Sequence, residues 1–130
     1  MRLVEVLPLL TGIGLVAALF TISIRNEGFG RSAWVVPAAL SALFLGWSVT
    51  AAVVEGPLGF WAEHTRNLWG NQIWFDLLLA VVVGWFLIVP RARAMKMNVL
   101  PWMALVVATG SIGFLAMASR LLYLENSPNS

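Results

Sequence analysis

Charged residues in this chain sit almost entirely at the ends of long apolar runs, and that arrangement limits the possible folds more than any motif. Asp, Glu, Lys and Arg make up 11% of the 130 residues, against 60% hydrophobic residues. A soluble domain carries roughly 25% charged residues, so a water-facing surface cannot be covered here. The mean hydropathy of +0.86 agrees. Four apolar segments stand out, at about 3–24, 34–54, 71–89 and 99–122. Each is close to the ~20 residues that an α-helix needs to cross a bilayer. The expectation is one all-α domain over residues 1–130, an integral membrane four-helix bundle.

The first run is too long for a typical signal-peptide core and no Ala-x-Ala pattern follows it, so it reads as a retained span. Pro90 is expected to close the third segment, because proline cannot extend the backbone ladder. The stretch FWAEHTRNLW places Phe60, Trp61, Leu68 and Trp69 near helical spacing, as in a short helix lying on the membrane surface. The tail YLENSPNS is polar.

With four crossings, the first and third loops share a side. They hold Arg25, Arg31, Arg91, Arg93 and Lys96, while Arg2, Arg66 and Arg120 fall on the other side. Positive charge concentrates in cytoplasmic loops. This predicts a multi-pass protein of the cell inner membrane with both termini outside the cytoplasm. The isoelectric point near 9.9 comes from an excess of only two charges in short loops, which sets topology and excludes a nucleic-acid surface. Without cysteine, disulfides, thiol catalysis and cysteine-ligated metals are excluded.

Small residues recur at helical spacing in each segment: Gly14, Ala18 and Thr21; Ala38, Ala42, Gly46 and Thr50; Gln72, Asp76, Ala80 and Gly84; Thr109, Gly113, Ala116 and Arg120. Membrane helices pack through such stripes. Asp76 and Arg120 each lie on one. If the third and fourth helices cross antiparallel, the two fall at similar depth, and a guanidinium facing the carboxylate would explain why Asp76 is tolerated. Glu5, Glu55 and His64 fall in the same outer layer. An ionisable residue inside the membrane is by default a functional-site hypothesis, and a purely architectural ion pair is its rival. One histidine makes no metal site, since those need three or four convergent ligands, and no cofactor-binding pattern is present. Trp34, Trp61, Trp69, Trp74 and Trp102 lie near segment ends, where aromatic belts belong. Trp47 and Trp85 lie deeper and, with Trp74, could flank a hydrophobic ligand.

The stretches NQIWFDLLLAVVVGWFLIVPRARAMKM and LPWMALVVATGSIGFLAMASRLLYL, within about Asn71 to Leu124, resemble a family of small bacterial and plastid membrane proteins. That family includes the plant abscisic-acid-deficient protein linked to neoxanthin synthesis. The matching features are Asp76 in IWFDLLLA, the basic loop after the third segment, and GSIGF followed by Arg120. Relatives often have Gly-Pro or Pro-Leu in the last helix, where here Ser111 follows Gly110. The resemblance implies four helices and an association with carotenoid or other isoprenoid lipids. Three functions are compatible with these features. The chain could bind or isomerise an isoprenoid lipid, act as a small ion-coupled transporter with Asp76 as its coupling carboxylate, or serve as a non-catalytic membrane anchor or assembly subunit. Its partners would be membrane lipids, with a homo-oligomer or a larger membrane complex as the assembled form.

Overall fold

The computed structural model describes residues 3–127. Arg2 of the charge argument and the last three residues of the polar tail lie outside them. The described residues form six helices and no strand: α1 (Leu3–Ile24), α2 (Val35–Glu55), α3 (Gly59–Thr65), α4 (Leu68–Ala94), α5 (Val99–Thr109) and α6 (Ser111–Glu125). α1, α2 and α4 are long and apolar enough to cross a membrane. The expected four-helix bundle is therefore replaced by three long helices and a broken fourth segment.

α1 and α2 match the first two apolar runs to within a residue. α4 is longer at both ends than the third run. It starts at Leu68 because Asn67, in extended backbone, caps it by accepting a 2.8 Å hydrogen bond from the Gly70 amide. It passes through Pro90, contrary to expectation, and ends at Ala94. Proline removes a single helical donor, and helices within a membrane tolerate that loss. The helix stops instead at Lys96, whose φ of 57° is left-handed. Lys96 N–H donates to Arg93 O and Met97 N–H to Ala92 O, both at 2.9 Å, a closing pattern that usually employs glycine.

The fourth segment is not one continuous helix. Gly110, with φ 61° and ψ −124°, breaks it into α5 and α6. This backbone region is open essentially to glycine alone. At about 1.5 Å per residue, α5 extends only ~16 Å and α6 ~22 Å, both short of the ~30 Å hydrocarbon core. The two pack closely as a hairpin. Gly113 lies so near α5 that a Cβ would stand 2.8 Å from Leu105 O. The Thr109 hydroxyl joins the two arms, donating to Leu105 O at 2.7 Å and accepting from Gly113 N–H at 2.9 Å.

α6 is the central element, touching α2, α4 and α5. Ile88 and Ala92 of α4 and Met117 and Leu121 of α6 form the buried core, with Val99 and Trp102 of α5 packed against it. Further along, Gly84 faces the Phe114 ring, and Arg91 is bonded to Glu125. These pairs advance together, so α4 and α6 run parallel. α2 runs the other way. Ser41 Oγ donates to Ile112 O and Ser119 Oγ to Trp34 O, each at 2.8 Å. The hairpin thus leaves the end where α4 stops and returns to it. Beyond its tip, α4 continues over residues 68–83 and α2 over 42–55, each for more than 20 Å at ~1.5 Å per residue. α1 makes no substantial contact with another helix and is exposed from Pro8 to Ile24.

Candidate functional site

The hairpin separates the residues that four crossings would have gathered. Asp76 belongs to the outer part of α4, beyond the hairpin tip, and is exposed. Arg120 lies near the C-terminal end of α6, beside the C-terminal end of α4. The α4 residues level with Arg120 are near Pro90, fourteen positions after Asp76, or ~21 Å along the axis. The expected Asp76–Arg120 pair does not form. It required the last segment to run antiparallel to α4, and the turn at Gly110 makes α6 run parallel instead. Asp76 has no ion pair or hydrogen-bond partner among the described residues.

His64, Glu55 and Asp76 do share the end of the molecule where α4 begins. α3 folds down on that end because Gly70 has no side chain: a Cβ there would run into Glu63 O. Asn71 Nδ2 completes the corner with a 2.7 Å bond to His64 O. The His64 ring then stacks 4.8 Å from Trp74, and Phe60 lies 6.2 Å from Trp74 and 6.4 Å from His64. Glu63 and Arg66 form an exposed 3.0 Å ion pair on the outer side of α3. Glu55 closes α2, with its Cβ beside Gly59. The interfacial helix expected here is shorter than its sequence pattern: Leu68 and Trp69 begin α4 rather than extend α3. Glu5 sits exposed in the first turn of α1. No three His, Asp or Glu side chains converge among the described residues.

The three tryptophans expected around an apolar ligand have separate surroundings. Trp47 is exposed on α2, Trp74 stacks on His64, and Trp85 packs on the Ile88 core.

The opposite end carries features that sequence reasoning missed. Arg91 Nε and Nη2 grip the Glu125 carboxylate at 2.9 and 2.6 Å. Trp34 meets Tyr123, the only tyrosine, edge-on with centroids 5.8 Å apart. The Arg120 guanidinium lies over the Tyr123 ring, 5.6 Å from its centroid. Arg120, Tyr123, Ser119, Ala116 and Trp34 line a shallow notch of about 290 Å³. The hydroxyls of Ser41 and Ser119 within apolar runs were the available sequence signal, since a serine there needs an acceptor.

Comparison with protein-family models, curated proteins and solved structures finds no match for this chain. The resemblance of its second half to the neoxanthin-linked family therefore rests on the quoted motifs alone.

Proposed function

We propose that this chain is a non-catalytic membrane subunit that assembles with a second copy of itself through the outer half of α4. One observation carries the proposal: Asp76 is exposed on a helix long and apolar enough to cross a membrane, and it has no ion-pair or hydrogen-bond partner among the described residues. A charged side chain inside a bilayer costs about 2.5–3.5 kcal/mol or more, and such residues almost always face protein or a water-filled cavity. Gln72 lies one turn before Asp76 and Ala80 one turn after, so all three share a face. Gln72 and Asp76 are both exposed. A twofold α4–α4 contact lets the Gln72 amide of each copy donate to Asp76 of the other, which makes the face self-complementary. Ala80 lets the backbones approach. This account explains Asp76 without an isoprenoid, whose binding would call on tryptophans that lie apart.

The same proposal sets orientation. The loop holding Arg25 and Arg31 and the end of α4 with Arg91, Arg93 and the following Lys96 lie at one end, and the turn at Gly110 brings Arg120 to it as well. Among the described basic residues, only Arg66 remains at the other. The positive-inside rule assigns the basic end to the cytoplasm of the inner membrane, together with the end of α6.

Oxidative cross-linking tests the assembly, because the chain has no native cysteine. Ala80→Cys in membranes is expected to give a species of twice 14.2 kDa, and Leu78→Cys, on another face, to give none. Asp76→Ala should weaken association by about 1–2 kcal/mol, the scale of an interhelical hydrogen bond in a membrane. A chain that stays monomeric at high protein-to-lipid ratio, or cross-links only to a different protein, refutes self-assembly.

A further inference from the structure

The notch beside Arg120 is a binding site of different chemistry. We infer that it holds the phosphate of an anionic phospholipid headgroup at the basic end of the molecule. Its cation is available: Arg91, one helix away, is neutralised by Glu125, whereas Arg120 forms no ion pair among the described residues. The guanidinium instead lies over the Tyr123 ring. That contact uses none of its N–H groups in an ion pair and leaves them for an acceptor. A guanidinium carries five donors in a planar fork suited to phosphate oxygens, and Tyr O–H and Trp Nε1–H add one each.

The notch is built rather than incidental. Ser119 Oγ bonded to Trp34 O fastens the start of α2 to α6, and Trp34 packs edge-on against Tyr123. Arg120 and Tyr123 come from α6 and Trp34 from the residue just before α2, so the site exists only when α2 and α6 are docked.

Size and position narrow the ligand. Pockets for small-molecule ligands run about 300–1,000 Å³, and a notch of about 290 Å³ falls just below that range. It suits a phosphodiester and not a long apolar chain. Arg120 is five residues before the end of α6, ~7–8 Å in from the helix terminus, which is headgroup depth for a helix entering from this side. Trp and Tyr flank it as they flank lipid headgroups elsewhere. Arg93 in the last turn of α4 and Lys96 just after it stand at the same end, and such cytoplasmic basic residues attract anionic lipid. Exposed apolar side chains of α2, such as Leu40, Leu43 and Phe44, offer acyl chains a surface that a soluble phosphate could not use.

The test is thermal unfolding of the purified full chain in detergent, titrated with phosphatidylglycerol, with phosphatidylcholine, or with glycerol 3-phosphate. Phosphatidylglycerol is expected to raise the unfolding temperature saturably while the other two leave it unchanged. Arg120→Ala should raise the half-saturating lipid concentration at least tenfold, and Arg120→Lys by less. Arg93→Ala, which keeps the notch and removes the same charge from that end, should change it less than threefold. Each variant is compared with its own lipid-free unfolding temperature, so a loss of intrinsic stability does not imitate a loss of binding. Equal effects of Arg93→Ala and Arg120→Ala would show a diffuse surface field and overturn the site. Protection by glycerol 3-phosphate equal to that by the lipid would overturn the lipid assignment.

Discussion

Replacing Gly110 by alanine tests the turn on which the architecture depends. A Cβ at Gly110 meets no atom within 4 Å, so Gly110→Ala introduces no clash. Its whole effect comes from the backbone, at φ 61° and ψ −124°. A residue with a side chain in such a region is strained by about 1–3 kcal/mol. The relief available to the variant is a straight helix. Fused, residues 99–125 would form a helix of ~40 Å, long enough to cross the ~30 Å core that neither arm crosses alone. Straightening would carry the end of α6 to the opposite face and break the Arg91–Glu125 contact. Two measurements follow. Reversible unfolding in mixed micelles should show Gly110→Ala destabilised by about 1–3 kcal/mol. Single cysteines at Asn98 and Ser127, labelled with a membrane-impermeant maleimide in sealed vesicles, should react from the same side in the otherwise native chain. Gly110→Ala should make part of the Ser127→Cys population reactive from the other side. Labelling of the two positions from opposite sides without the Gly110 change would refute the hairpin. So would a Gly110→Ala variant as stable as the native chain.

Two further substitutions probe how the hairpin and its neighbour are held. Gly113→Ala pushes a methyl against the backbone of α5, which cannot rotate away, and should cost ~1–3 kcal/mol or more; Gly84→Ala meets only the tip of the Phe114 ring and should cost less, as ranked by unfolding in detergent. Lys96→Gly should stabilise the chain by ~1 kcal/mol in the same assay, because glycine adopts the left-handed closing position of α4 without the penalty lysine bears there.

The long helices were legible because an uninterrupted apolar run with charges only at its ends has few other solutions. α1 and α2 fall within a residue of the expected 3–24 and 34–54. The start of α4 was also within reach, since Asn67 three residues before Gly70 is a capping signal that the hydropathy boundary at Asn71 hid. Pro90 misled because the rule that proline ends a helix concerns one lost hydrogen bond. The stop at Lys96 is set by two bonds back to Ala92 and Arg93, which leave no mark in the sequence. The fourth segment looked like a crossing by every local measure. Glycine is frequent in membrane helices, so Gly110 alone did not announce a break. Its conformation is fixed by contacts that exist only after folding: Gly113 against Leu105, and Thr109 bridging the two arms.

That one turn also decides what the polar residues can do. Asp76 and Arg120 stand out in the sequence, but their partnership was inferred from the direction of a helix, and direction is not a local property. With α6 reversed, Arg120 moves from the sparsely charged end to the basic end, where it meets Trp34 and Tyr123. Asp76 is left on the outer half of α4 with Gln72 as its polar neighbour on the same face. An internally neutralised ion pair thus becomes two separate charges at opposite ends, neither with an ion-pair partner among the described residues. Charges left this way in and beside a membrane call for partners from outside, and the two sites differ in what they can accept. A carboxylate on a bare helix face needs a donor carried by another helix. A guanidinium in an aromatic notch at headgroup depth needs an anion, and the surrounding lipid supplies one. The assembly proposed for Asp76 and the lipid site proposed for Arg120 therefore have one structural cause, yet either can fail in its own experiment without affecting the other.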